Sequence, residues 1–215
     1  MFRTTAFAAG LLAAIGWSSS ARATETDTQL WLGASAEAPL GGGLTLSADA
    51  SQRFRAPSAG GDIQLYRIGG QVQTTDWLSL GGGVAYLDSD AADETRLFQS
   101  VSLKWGNLLA RTQLEERYFD GSPRPQLRGR QRLQLTVPLD ADDRLLSYVE
   151  LNYILRNQNP AVGAAVDHWR LKLDWRHRLA AHMELSAAYM AMYAPRPGTQ
   201  DRLSHVPSLS VFYTF

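Results

Sequence analysis

The chain has 215 residues, with 21 basic and 21 acidic side chains, no cysteine, and 45% hydrophobic and 10% aromatic content. This composition can bury a core, so it excludes a largely disordered chain, a disulfide scaffold and a thiolate metal site. The zero formal charge also argues against nucleic acid as a partner. The mean hydropathy is typical of a water-soluble protein, which argues against a bundle of membrane-spanning helices but does not exclude a barrel.

The first element is a predicted signal peptide covering residues 1–23. Arg3 is followed by an apolar stretch at residues 6–17, and Ala21-Arg22-Ala23 has the small-x-small pattern of a cleavage site. The apolar stretch is shorter than the ~20 residues that a spanning helix needs. We therefore expect an exported protein. Because Arg3 and Arg22 are removed, the mature chain has 19 basic and 21 acidic side chains.

From Thr28 onward, apolar residues recur at every second position, which is the period of a β-strand. Eleven segments show this pattern, so the chain is predicted to be all-β with one apolar face per strand. The segments run over residues 30–36, 44–54, 66–72, 78–86, 97–105, 108–118, 127–137, 149–155, 169–175, 183–189 and 209–215.

The connections between these segments alternate between short and long. Short links contain Thr75-Asp76, Gly106, residues 139–143 or Ala180-Ala181, whereas long links are rich in Gly, Pro, Asp and Asn. Tight turns at one end and longer loops at the other are typical of a transmembrane up-and-down antiparallel β-barrel of the bacterial outer membrane. A lipocalin-like periplasmic barrel has the same period but does not explain the sorted loops.

The strand count is less direct than the fold class. Because bacterial single-chain barrels have an even number of strands, we expect ten strands over residues 44–215, with twelve as the alternative. Residues 24–43 then form an N-terminal segment or a first strand. Tyr213 and Phe215 give the last strand an alternating aromatic end, which resembles the signal that the barrel assembly machinery recognises.

The two strand faces suggest which side meets lipid. If strand directions alternate, aromatic residues of the apolar face form two girdles around an aliphatic band. Phe54, Tyr66, Tyr86, Tyr118, Tyr153, Trp169 and Tyr189 fall near the long loops, and Trp105, Trp175, Tyr213 and Phe215 fall near the short turns.

The opposite, polar face is predicted to line the lumen and is mostly basic. Rings of Arg and Lys select anions, so an open lumen would be a narrow anion-favouring pore; a lumen filled by its own side chains would be closed. Cross-strand ion pairs are expected between Glu115 and Arg130, Arg132 and Glu150, and Arg176 and Glu184. The candidate basic wall is Arg53, Arg67, Arg96, Arg111, Arg117, Arg128, Arg130, Arg132, Arg156, Arg170, Lys172 and Arg176, and the candidate lumen acids are Asp49, Glu115, Glu150, Asp174 and Glu184.

No catalytic, cofactor or metal-binding motif is recognised in the sequence. His168 beside Asp167, and His205 with Ser204 and Ser208, are the arrangements closest to acid–base or acyl chemistry. Each is more simply explained as a set of solvated residues at the barrel rim. We therefore expect no enzymatic activity and no cofactor. An enzyme acting on envelope lipid or peptide at the rim, and a closed structural or surface-binding barrel, are the alternatives.

Four stretches carry a family resemblance: Gln29-Leu30-Trp31-Leu32, Glu115-Glu116-Arg117-Tyr118-Phe119, Arg128-x-Arg130-x-Arg132-Leu133 and Glu150-x-Asn152. Together they resemble a family of uncharacterised bacterial outer-membrane barrels known only as a domain of unknown function. The resemblance covers essentially the whole mature chain and implies location and fold, but no activity. The expected partners are outer-membrane lipids and the barrel assembly machinery, and the expected state is a monomer in the outer membrane of a Gram-negative envelope.

Overall fold

The computed structural model describes residues 24–215, and the predicted signal peptide lies outside the described residues. The described part is all-β apart from one 3₁₀ turn at Pro57–Ala59. No helix in it is long and apolar enough to cross a membrane. The strands are β1 (Thr24–Thr28), β2 (Leu30–Gly41), β3 (Leu44–Phe54), β4 (Ile63–Gln73), β5 (Leu78–Ser89), β6 (Glu94–Trp105), β7 (Leu108–Phe119), β8 (Gln126–Pro138), β9 (Asp143–Arg156), β10 (Ala165–Ala180), β11 (Met183–Ala194) and β12 (Asp201–Thr214).

Strands β2 to β12 form a closed barrel of eleven strands. Each pairs with its neighbour in sequence in antiparallel fashion, and β12 closes the barrel by pairing with β2 in parallel. The expected count of ten is therefore too low. The expectation rested on an even number of strands, but a parallel pair between first and last strand closes an odd number without leaving an edge.

Strand β1 lies outside this count and extends β2 along β12. Thr24 pairs with Asp201 and Trp31 pairs with Ser208, so both strands keep a sequence separation of 177 from their β12 partners. Gln29 lies between β1 and β2, and its backbone N–H donates to the carbonyl of His205 at 2.9 Å. Residues 24–41 are thus part of the sheet.

Alternation along the strands puts most apolar side chains outside and most polar ones inside, although Leu65, Leu87 and Val206 are buried apolar residues. Exposed side chains include Leu46, Ile68 and Leu171, whereas Glu150 and Asn152 are fully buried. Exposed aromatic residues mark both ends of the barrel. Near the longer connections lie Phe54, Tyr66, Tyr86, Tyr118 and Tyr189, and near the short turns lie Trp77, Trp105, Trp175, Tyr213 and Phe215.

The connections differ between the two ends of the barrel. Turns of two or four residues follow β2, β4, β6, β8 and β10, and connections of four to eight residues follow β3, β5, β7, β9 and β11. Gly41, Gly42 and Gly43 all have positive φ, which is why the first tight turn is built from glycine. In the turn after β8, the backbone N–H groups of Asp142 and Asp143 donate to Asp140 and lower the pKa of its carboxyl group.

Candidate functional site

Glu150 on β9 is the centre of an ion-pair network on the inner face of the barrel. Its side chain is fully buried, and it accepts hydrogen bonds from Arg130 at 2.8 Å and from Arg132 at 2.7 Å. Arg170 and Arg111 lie 3.4 Å and 3.9 Å from the same carboxylate. One buried acid is therefore shared by four arginines from β7, β8 and β10, and their positive charges exceed its negative charge.

Two arginines of β8 extend this network toward the longer loops. Arg130 also contacts Glu115 at 2.7 Å, so it bridges the two buried acids. Arg128 binds Glu115 through its Nε at 2.8 Å and Asp167 through its Nη1 at 2.9 Å. The expected pairs Glu115–Arg130 and Arg132–Glu150 are thus both present.

Several other members of the candidate basic wall pair with an acid on the same strand or on a neighbouring strand. Asp49 accepts two hydrogen bonds from Arg67, at 2.6 and 3.0 Å. Asp174 lies 3.1 Å from Lys172 and 3.5 Å from Arg176. Arg96 and Arg117 both bind Glu94, through bonds of 2.7 and 2.9 Å to its Oε2 atom.

Two expectations about these side chains are wrong. Arg156 does not line the lumen: it is exposed and pairs with the outward-facing Leu127. A register shift between β8 and β9 inserts Leu155 as an extra residue, which reverses the face on which Arg156 lies. Glu184 does not pair with Arg176: Arg176 lies opposite Ser186, and Glu184 binds Arg144 of β9 instead. Both errors come from strand register, which local alternation does not report.

Three residues of the inner face were not among the predicted site residues. Glu94 falls in a connection by its position in the sequence, but it begins β6 and is buried between Arg96 and Arg117. Asp167 is the extra residue of a bulge in β10, which lets it reach Arg128. Trp31 lies on the inward-facing side of β2, opposite Arg53 of β3. Its place in the alternation of β2 is the sequence signal that could have identified it.

Three adjoining cavities follow one another along the barrel interior. An outer cavity of about 340 Å³ borders the longer loops, a middle cavity has about 180 Å³, and an inner cavity of about 420 Å³ lies toward the tight turns. The outer and middle cavities share Arg53 and Arg170, and the middle and inner cavities share Arg67 and Gln113. The middle cavity has the smallest volume of the three, and Arg128, Arg130 and Arg132 of the ion-pair network line it.

Positive charge is concentrated in the outer and middle cavities. Among the described residues, six arginines but only Glu94 and Asp167 as acids line the outer cavity, and seven arginines with Asp49 and Glu115 line the middle one. The inner cavity is closer to balance, with Arg67, Arg111 and Lys172 against Glu37 and Asp49.

Trp31 lies close to two of these arginines. The Cζ atom of Arg53 is 4.1 Å from the centre of its ring, and that of Arg170 is 6.0 Å away. The Trp31 indole N–H donates to Gln29 at 3.1 Å, and Gln29 donates to Asp27 at 2.9 Å. Cation–π contact thus holds Arg53 where no carboxylate of the described chain forms an ion pair with it.

The two histidine arrangements noted in the sequence differ in how the fold places their members. Ser204 is buried and donates to Asp27, whereas His205 is on the outward-facing parity and contacts Tyr189. His168 is buried, with its Nδ1 atom 3.2 Å from Asp167, but its Nε2 atom has no hydrogen-bond partner. No group of three or more His, Asp or Glu side chains in residues 24–215 is placed to hold a metal ion.

Comparison with protein families places most of the chain in a known family. Residues 28–203 match the family described as "Protein of unknown function (DUF2490)". Among curated proteins, no sequence matches this chain.

Two solved structures of an outer-membrane protein of Vibrio cholerae, OmpT, are similar to this chain at 13% identity. The match to the variant lacking loop L8 has a TM-score of 0.40 and covers 69% of this chain and 56% of the OmpT chain. The match to the outer-membrane-expressed form has a TM-score of 0.39 and covers 77% of this chain and 61% of the OmpT chain. The chain thus spans about three fifths of the length of these proteins.

Proposed function

The chain belongs to the DUF2490 family of proteins of unknown function, and on that premise we propose that it is an outer-membrane β-barrel providing a narrow, anion-favouring passage. The proposal starts from the outer surface. Its exposed side chains are mostly aliphatic, and aromatic residues flank them at both ends, which is the distribution that lipid contact requires. The lipid-facing residues and the C-terminal strand β12 are the proposed contacts with outer-membrane lipids and with the assembly machinery, and the barrel is proposed to act as a monomer.

The observation that carries the proposed passage is the series of adjoining cavities inside the barrel. Adjacent cavities share lining residues, so the space between longer loops and tight turns is divided by flexible side chains, not by backbone. An eight-stranded barrel is just filled by its side chains, and porins with 16 or more strands leave a wide channel. Eleven strands with a dense network on one side fit a narrow passage.

Anion preference follows from the charge of the lining. Arginines outnumber carboxylates in the outer and middle cavities, and buried acids such as Glu150 are already shared by several guanidinium groups. An anion entering this space gains favourable electrostatic energy, whereas a cation is repelled.

Planar-bilayer recording of the refolded protein tests the passage. We expect small single-channel currents and a reversal potential, under a KCl gradient, that shows preference for chloride. Arg67→Met should reduce that preference, because Arg67 lines both the middle and inner cavities. Arg156→Met is the matched control and should leave it unchanged, since Arg156 is exposed on the outer face. No conductance, or preference for potassium, contradicts the proposal.

We propose no catalytic role for the barrel. The one imidazole in contact with a carboxylate on the inner face, His168, has Asp167 as its hydrogen-bond partner, and no serine or threonine hydroxyl contacts it in the described residues. The Ser204 hydroxyl and the His205 ring lie on opposite faces of β12. Unchanged rates of lipid and peptide hydrolysis after His168→Ala and His205→Ala are the expected result.

A further inference from the structure

We propose that the outer cavity contains a binding site for hydrogen phosphate, formed by Arg53, Arg170 and His168. The proposal rests on the proposed function, because it identifies which anion the basic interior holds. Its first support is Arg53, whose guanidinium group is stacked on Trp31 and forms no ion pair with a described residue. The Nε atom of Arg53 is buried without a hydrogen-bond partner.

Arg170 supplies the second cationic group of the site. It borders the same outer and middle cavities, and its Nε atom also has no partner. Its contact with Glu150, at 3.4 Å, is longer than those that Arg130 and Arg132 make with the same acid. Two guanidinium groups with unused donors therefore lie close to Trp31 and line the same cavity, and such groups match the geometry of phosphate oxygens.

Trp31 keeps these donors in place before any ligand binds. Its indole N–H is fixed through Gln29 to Asp27, which also accepts a hydrogen bond from Ser204. These contacts join β1, β2 and β12 at the parallel closure of the barrel. A site whose donors are already positioned loses less conformational entropy on binding.

His168 distinguishes hydrogen phosphate from other oxyanions. The Asp167 carboxylate accepts from Arg128 as well, so the contact with His168 at 3.2 Å requires a proton on Nδ1. This assigns Nε2 of the neutral ring as an acceptor, and it has no donor partner although His168 is only 7% exposed. Hydrogen phosphate carries an O–H group that can donate to it, whereas sulfate at neutral pH carries none.

The size of the cavity is compatible with this ligand. Its volume of about 340 Å³ is far above the ~15 Å³ that a cavity needs to hold one water molecule. A tetrahedral oxyanion therefore fits together with several waters. Access is from the end of the longer loops, where Gly60 and Ala92 line the cavity.

Calorimetric titration of the full chain, refolded in detergent without phosphate buffer, tests the site. We expect inorganic phosphate at pH 7.5 to bind about tenfold tighter than sulfate, because only hydrogen phosphate can donate a hydrogen bond to Nε2 of His168; tenfold corresponds to about 1.4 kcal/mol. Arg53→Met should weaken both anions about tenfold or more. His168→Leu should weaken phosphate to the level of sulfate and leave sulfate unchanged. Arg156→Met, which removes an exposed arginine, should change neither.

The outcomes separate this site from the passage. Equal affinity for phosphate and sulfate in the unaltered protein overturns the proposal, even if His168→Leu does not refold. Tighter binding of glycerol 3-phosphate than of phosphate also overturns it, because the site would then recognise a phosphate ester such as a lipid headgroup. If the barrel prefers phosphate but does not conduct, the binding site is supported and only the proposed passage is contradicted. If the barrel conducts anions but does not prefer phosphate, the passage is supported and the binding site is overturned.

Discussion

Strands β7–β10 and strands β2–β5 carry the same alternation of inward and outward residues but fill the interior differently. The inward residues of β7–β10, here the charged wall, are long arginines and acids that reach across several strands, as Arg128 and Arg130 do. The inward residues of β2–β5, here the small-residue wall, include Gly33, Ser35, Ser47, Ser51, Gly69, Gly81 and Gly83.

This difference explains where the open space lies. The inner cavity borders the small-residue wall, with lining residues drawn from β2, β3, β4 and β5, and the charged wall contributes only a few residues to it. Burying an acid such as Glu150 requires several arginines, which together fill their half of the barrel. Along most of its length the small-residue wall has no buried acid that needs several arginines, so its short side chains leave the inner cavity open.

The largest expected effect is the loss of the central acid of the charged wall. Glu150→Leu should lower the free energy of unfolding by about 3–5 kcal/mol, because it leaves Arg130, Arg132 and Arg170 without their shared buried partner. Urea unfolding of the refolded barrel measures it. Asp142→Ala, which removes an exposed pair with Arg178, should change the same quantity by less than ~1 kcal/mol. Equal effects of the two variants would mean that the network adds no stability.

A second comparison uses two strand glycines, Gly83 of the small-residue wall and Gly129, which faces outward from β8 between Arg128 and Arg130. A Cβ atom on Gly83 would lie 2.2 Å from the carbonyl oxygen of Ile68 and 2.7 Å from the Cα atom of Gly69. Gly83→Ala should therefore cost about 1–3 kcal/mol of unfolding free energy, as overpacking does. A Cβ atom on Gly129 of β8 would lie 3.6 Å from its nearest neighbour, Cδ1 of Leu155, which is ordinary van der Waals contact. Gly129→Ala should therefore be neutral or slightly stabilising. A neutral Gly83→Ala would show that β4 and β5 can move apart.

The smallest expected effect on stability comes from filling the inner cavity. Ser35 faces inward from β2 and lines this cavity, so Ser35→Trp should reduce the single-channel current while changing the unfolding free energy by less than ~1 kcal/mol. Ala36→Trp is the matched control, because the next residue of the strand faces outward. An unchanged current in Ser35→Trp would place the conducting path elsewhere.

Much of the fold could be predicted from local pattern. Alternation identified the strands, and their inward parity brought Glu115, Arg130, Arg132 and Glu150 together as expected. Prediction failed where a single extra residue changes parity. The bulge at Leu155 turns Arg156 outward, and the bulge at Asp167 brings an unpredicted acid to Arg128.

The sequence by itself determined the β class, the apolar and polar faces, and the sorting of short and longer connections, because each depends on neighbouring residues only. The tertiary structure alone decided the number of strands, since closure depends on a parallel pair between residues 177 apart. It also decided which arginines remain without an acid. Arg53 looks like Arg130 in the sequence, but only the closed barrel places Arg130 between two carboxylates and Arg53 against Trp31.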